Sequence, residues 1–309
     1  MESDPRSGRP RLLVLGAGPA QLGLLEAARE RGVWLAVVDR DPNAPGFRFA
    51  DRRCILSTED EPAIERLVSA LGIDGLISPG TDWPVGVAAR IAERAGLPHP
   101  ITPQTAVLAT NKLRQRERLA EAGVPQPRSW VVGADDPPPE VDGQVVVKAP
   151  DRQGQKGLTL VRDRAELPAA IDAARGAARN GLALVEELVD GPEVTAIGFS
   201  VGGVYHCLAV SDRIVAEPPA FGVALAHVWP SEVPAGAVAD TVSRTLDAIG
   251  LADGPSYVQL RVDAGGPKVI EAAARLGGGH DAELVHAATG VDLNGLAMNA
   301  AVGTPVEAP

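Results

Sequence analysis

Residues 256–281 read SYVQLRVDAGGPKVIEAAARLGGGHD, and they parse as two strands joined by a tight turn. Tyr257 to Asp263 alternate in polarity like a half-buried strand. Ala264-Gly265-Gly266-Pro267 supply turn residues, and Lys268 to Glu271 lead back. Opposed residues of such a hairpin share a face. Gln259 and Glu271, twelve apart and about equidistant from the turn, are expected to form one such pair. Arg275 follows closely, and Gly277-Gly278-Gly279 then open the backbone. Two oxygen donors, a guanidinium and a glycine run suit a hard cation and a phosphate. An edge hairpin with solvated charges would contain the same residues, so the rest of the chain has to decide.

Upstream of the hairpin, Asp240 to Ile249 read as a helix, and RIVAEPPAFGVALAHVW (213–229) as a Pro-rich connector carrying Arg213 and His227. Further back, ALVEELVDGPEVTAIGFSVGG (183–203) reads as strand, bend, strand. Glu186 and Glu187 precede its bend at Asp190-Gly191-Pro192, and Glu193 follows. Backbone polar groups at such a hinge suit a purine edge, and a nearby carboxylate suits ribose hydroxyls. A plain Gly-Pro turn between solvated acids is the simpler alternative for this stretch taken alone.

Before that lies QVVVKAPDRQGQKGLTLVR (144–162). Lys148 stands inside an apolar strand, where ammonium groups are seldom buried without a partner. A loop with Gly154 and Gly157 follows, then a return strand. Such a lid can close its N–H groups over a polyphosphate while Lys148 and Lys156 neutralise it. The loop is no Walker A motif, because GxxxxGK[ST] is absent. Of the 29 basic residues only four are Lys, at 112, 148, 156 and 268, and three of these fall in the stretches singled out here. In so Arg-rich a chain, a Lys marks a place that suits a compact ammonium.

The first hundred residues follow a different pattern. RLLVLGAGPAQLGLLEAARERG (11–32) reads as an apolar strand, a Gly16-x-Gly18 turn and an amphipathic helix, and WLAVVDRD then ends a second strand on Asp39. This is the opening of a doubly wound parallel sheet. Gln21 stands where a dinucleotide fingerprint wants Gly or Ala, so a nicotinamide cofactor is the weaker reading. A helix is expected over Glu61–Leu71, a strand in GLISPG and a helix over Pro84–Ala95. Asp82 lies past the carboxyl end of that strand, where open α/β sheets bind ligands, and it can also cap the helix that follows. Two helical segments fill Thr102–Ala122, closed by Gly123 and Pro125. The tail is helical from Val291.

Composition limits the partners. The chain has 309 residues, a net charge of −11 and 22% charged side chains, which argues against nucleic acid and against a membrane surface. The acidic, polar N-terminus is no signal peptide, and Cys54 and Cys207 lack metal spacing. A cytoplasmic setting is expected, and a homodimer is left open.

In this order, the NK…EAGVP helix, VVVKAP with its glycine lid, EELVDGPE, and QLRV…GPKVIEAAARLGGGH resemble the ATP-grasp superfamily over nearly the whole chain. The nearest likeness is to carboxylate–amine ligases and carbamoyl-phosphate-synthase-like members. The resemblance implies an α/β and α+β architecture: an N-terminal Rossmann-like lobe (1–100), a helical linker with a lid subdomain (101–189), and a C-terminal subdomain with the metal site (190–309). It implies that ATP phosphorylates a small carboxylic acid and that an amine attacks the acyl phosphate, leaving ADP and phosphate. Lys112 and Lys148 would meet ATP phosphates under the loop holding Gly154, Lys156 and Gly157. The Glu186-Glu187-Leu188 backbone would take adenine, Glu193 the ribose, Gln259 and Glu271 one or two magnesium ions, and Arg275 the carboxylate and its acyl phosphate. Asp82, Arg213 and His280 are further substrate candidates. The superfamily usually has an acid at the position of Gln259 and Asn at that of Ala273. These departures leave a degenerate nucleotide-binding module without turnover as the alternative.

Overall fold

The computed structural model describes residues 8–309. The first lobe is built from β1 (Arg11–Leu15), α1 (Leu22–Glu30), β2 (Trp34–Asp39), β3 (Arg52–Ile55), α2 (Glu61–Leu71), β4 (Gly75–Ile77) and α3 (Trp83–Ala95). Its four strands form a sheet in the order β3-β2-β1-β4, with parallel pairing throughout. The inner strands are apolar along their length because helices cover both faces. Asp60 accepts a hydrogen bond from the Ala63 N–H and Gly72 ends α2 in the left-handed region, so sequence and structure agree on that helix. β3 escapes the sequence reading because only one of its four residues is buried, leaving no alternation to detect.

The chain continues through α4 (Pro103–Thr110), α5 (Lys112–Glu121), β5 (Ser129–Val132), β6 (Val145–Lys148), β7 (Thr159–Val161), α6 (Leu167–Ala177) and β8 (Ala183–Glu187). These strands form an antiparallel sheet in the order β5-β8-β6-β7, with α6 packed on one face. A 3-10 turn, Arg164–Glu166, leads into α6.

The last part contains β9 (Glu193–Val201), β10 (Val204–Val215), β11 (Ala224–Val228), α7 (Ala235–Ile249), β12 (Gly254–Asp263), β13 (Gly266–Ala273), α8 (Asp281–Thr289) and α9 (Leu293–Ala301). Its sheet runs β11-β10-β9-β12-β13. The stretch expected as a Pro-rich connector is corrected here: residues 213–215 end β10, and β11 pairs back on it with Arg213 opposite His227. The prolines lie in the loop between these strands, where no ladder donor is needed.

The faces of this sheet divide the work. Val194, Ala196, Val258, Leu260, Val269 and Ala272 pack against α4, α5 and α7. On the other face Ile197, Phe199 and Ala209 join α1, α8 and α9 in a core shared with the first lobe. The remaining part of that face carries polar side chains and lies open to a cleft.

Candidate active site

The cleft, about 610 Å³, lies between the β5-β8-β6-β7 sheet, the five-stranded sheet and the edge of the first lobe. Its floor is a polar row produced by register alone. Thr195 on β9 pairs with Gln259 on β12, which pairs with Glu271 on β13, so three neighbouring strands present oxygen-bearing side chains on one face. A bulge makes this possible. Leu260 pairs with Val269 but Gln259 pairs with Glu271, so Ile270 is the extra residue and Glu271 is turned onto the row.

Arg116, which sequence reasoning passed over, holds the bulge. From α5 it donates through Nη1 to the Val269 carbonyl at 2.8 Å and through Nη2 to the Ile270 carbonyl at 2.5 Å. Its Nε donates to Glu186 Oε1 at 2.7 Å. Glu186 in turn pairs through Oε2 with Lys148 Nζ at 2.5 Å. This chain of contacts ties β6 to the β12–β13 hairpin. Only 2% of Glu186 is exposed, and burial pushes its carboxyl up, yet the neighbouring Arg116 and Lys148 outweigh burial and hold it at about 2. Burial draws the Lys148 ammonium below its ordinary value, and Glu186 offsets this only in part. The partner that a buried Lys148 requires is thus Glu186, whose side chain supports a cation while its backbone stays in β8.

Lys112, at the start of α5, donates to Glu271 Oε1 at 3.2 Å and to the Arg152 carbonyl at 3.1 Å. Asn111 orients that helix by accepting from the Leu113 and Arg114 N–H groups. Burial pushes the Glu271 carboxyl up, but Lys112, Lys148 and Arg275 more than reverse this, so Glu271 is held ionised. Gln259 and Glu271 offer the hard oxygen donors a magnesium ion takes. Among the described residues no three His, Cys, Asp or Glu side chains cluster to hold a metal alone. A magnesium ion here fits as one bound by a carboxylate together with phosphate oxygens, its common mode in phosphoryl-transfer sites.

Over the cleft lies the loop following β6. Gly154, Gln155 and Lys156 line it, whereas Gly157 does not. Gly157 has φ +72°, and a Cβ there would come within 2.8 Å of Ala177, so it serves close packing against α6. Two contacts hold the middle of the loop: Gln153 Oε1 accepts from the Asp82 N–H at 2.8 Å, and Gln155 donates to the Gly222 carbonyl at 3.0 Å. Glu187, Leu188 and Glu193 all line the cleft. The Glu187 and Leu188 N–H groups donate to the Arg128 and Gln144 carbonyls, so they are not free for a purine edge. Glu193 accepts from Arg213 at Oε1 and from Arg261 at Oε2, at 3.2 Å for the latter. A carboxylate has about four acceptor positions, so this pairing still leaves room for hydroxyls.

At the first-lobe end, Arg275 and Asp82 form a buried ion pair, with Nε to Oδ1 at 2.6 Å. Asp82 occupies the N-cap position of α3 but makes no side-chain cap bond, so the expected capping role is corrected to a guanidinium partner. Arg275 also donates to the Leu276 carbonyl and to the Tyr257 hydroxyl. His280 does not line the cleft: its side chain is 68% exposed. Its neighbour Asp281 does line it and lies 3.8 Å from His227 Nδ1. Gln21 explains the weak dinucleotide signal. It is buried over Gly16 and Gly18, donating to the Pro79 carbonyl at 2.6 Å, and its side chain fills the space above the turn. Asp39 accepts from the Ala17 and Asp41 N–H groups and so closes its own loop.

No family model matches the chain. It is 32% identical to the Sinorhizobium fredii protein y4rH over 77% of this chain and 51% of that one. It is 29% identical to the formate-dependent phosphoribosylglycinamide formyltransferase of Burkholderia vietnamiensis over 62% of this chain and 50% of that one. The chain thus spans about half the length of the curated relatives it matches. Among solved structures, the L-amino acid ligase from Bacillus licheniformis superimposes with a TM-score of 0.82 at 23% identity, over 97% of this chain and 75% of that one. The phosphoribosylglycinamide synthetase from Anaerococcus prevotii does so with a TM-score of 0.75 at 22% identity, over 96% and 75%.

Proposed function

We propose that this chain, whose fold is that of the ATP-grasp superfamily, is a ligase that couples a small carboxylic acid to an amine at the expense of ATP. The observation carrying this reading is the convergence of Lys112 and Lys148 on the Gln259–Glu271 row beneath a glycine loop. A carboxylate is a poor electrophile until one of its oxygens becomes part of a phosphate leaving group. The proposed sequence transfers the γ-phosphoryl group of ATP to a carboxylate oxygen, giving an acyl phosphate and ADP. The amine then attacks the acyl carbon, the C–O bond breaks, and an amide and inorganic phosphate leave.

Each part of the cleft has a place in this scheme. Lys112, Lys148 and Lys156 neutralise phosphate oxygens, and the 151–157 loop excludes water above them. Glu271, with Gln259, would hold magnesium, which neutralises charge on the phosphates when bound. Glu193 is assigned to the ribose, and Leu188, which lines the cleft, to the face of the base. Arg275 steadies the carboxylate side, with Asp82 and Arg213 nearby. The relatives named for formate-dependent formyl transfer and for L-amino acid ligation support small carboxylates, formate and amino acids among them, as the first substrates to try.

A screen of amino acids, formate and other small carboxylates against amines, read as phosphate release, tests the proposal. Release that needs both a carboxylate and an amine is expected. Tight ATP binding with no release across the screen would favour the nucleotide-binding module, a reading that rests on the uncharged Gln259 and Ala273.

A further inference from the structure

Tyr257 lies on the same face of β12 as Gln259, two residues away, and lines the cleft. Its cross-strand partner is Ala273. The ring lies 5.0 Å from the Arg275 guanidinium, and the phenol oxygen accepts from Arg275 Nη2 at 3.4 Å. A phenol carries its proton at neutral pH, and among the described residues no protein group accepts it from Tyr257. A buried O–H with no acceptor costs free energy unless a ligand supplies one. Arg275 also donates to Asp82 and to the Leu276 carbonyl. The phenol proton is thus a donor left uncommitted, held between the magnesium-side carboxylate and the first-lobe edge.

We infer that Tyr257 is a catalytic residue whose hydroxyl donates a hydrogen bond to an anionic oxygen of the reacting carboxylate or acyl phosphate. The inference rests on the ligase reading for its reaction, but the oxyanion site can be probed without turnover. Arg275 polarises the hydroxyl by donating to its oxygen, which strengthens the bond the phenol makes in turn. The ring sets the distance at little conformational cost, because Ala273 and Arg275 flank it.

The experiment uses orthovanadate as a phosphoryl mimic added to the full chain saturated with MgADP. Its affinity is measured in the wild type and in Tyr257→Phe, which keeps the ring and its packing. The chain has only two tyrosines, Tyr205 and Tyr257. Labelling tyrosine with carbon-13 at the phenol carbon thus gives two resonances, assigned by the same variant. Vanadate should shift the Tyr257 resonance, and Tyr257→Phe should bind it at least tenfold more weakly while MgADP affinity changes less than twofold. With a working substrate pair, the same variant should lower kcat tenfold or more with little change in the KM for ATP, as for loss of one oxyanion donor. Equal vanadate affinity in the two proteins, or a Tyr257 resonance that stays fixed at saturation, would overturn the inference. So would a wild-type MgADP complex that takes up no vanadate. Failure to release phosphate in the substrate screen would overturn the ligase reading alone, since the vanadate arms do not depend on it.

Discussion

Glu186 sits between two cations, and its environment makes a quantitative claim about pH. Its folded carboxyl is held at about 2, below the ordinary 4.5. A depressed acid stabilises the fold above its unfolded value, and that contribution is lost as pH falls from about 4.5 to about 2. Glu186→Gln, which leaves Arg116 and Lys148 facing a neutral amide, should cost about 3 kcal/mol near neutral pH. Denaturant melts of both proteins should show that difference shrinking as pH falls through this window. Lys148→Ala has a different signature. Arg116 remains to compensate Glu186, so stability should change less than nucleotide binding, which should weaken tens-fold, about 2 kcal/mol. Titration calorimetry with ATP checks this, and an unchanged affinity would remove Lys148 from the phosphate site. A buried lysine in an apolar strand is legible in a sequence because it violates the expected pattern. Its partner was not, because Glu186 meets Lys148 only through the pairing of β6 with β8, and Arg116 reaches Glu186 from α5, 70 positions away.

The β12–β13 hairpin shows how far local pattern reaches. Alternation and turn residues sufficed to expect Gln259 opposite Glu271, and the register places them so. The bulge at Ile270 that brings them together depends on Arg116, which is outside the hairpin, so nothing within the hairpin announces it. The β10–β11 hairpin was illegible for a related reason: its loop prolines mimic a connector, and its pairing is set by the sheet edge. His227 and Asp281 reach the cleft only through that pairing and the start of α8. Glu271→Gln should abolish turnover, because the remaining row of Thr195 and Gln259 has no charge to hold a divalent cation. Gln259→Glu should keep turnover and tighten the metal by adding a second carboxylate. Manganese binding followed by electron paramagnetic resonance, in the presence of ADP, checks both. Normal metal affinity in Glu271→Gln would refute the assignment.

Across the molecule, the doubly wound first lobe and the two antiparallel sheets bear out the fold expected from the order of motifs. The contacts that join them were not legible. Arg179 pairs with Glu59 and stacks on Trp83, and Asp82 meets Arg275 across 193 positions of chain. Such pairs follow from how lobes dock, which no local periodicity encodes. The same docking brings Lys112, Lys148, Glu271 and Arg275 into one cleft in a chain of net charge −11. The central claim is that this cleft activates a carboxylate by phosphorylation. With a substrate pair from the screen, a carboxylate labelled with oxygen-18 in both oxygens should pass one labelled oxygen to the inorganic phosphate released in each turnover. Mass spectrometry of that phosphate should show one label per molecule, whereas unlabelled phosphate, its fourth oxygen drawn from water, would contradict the account.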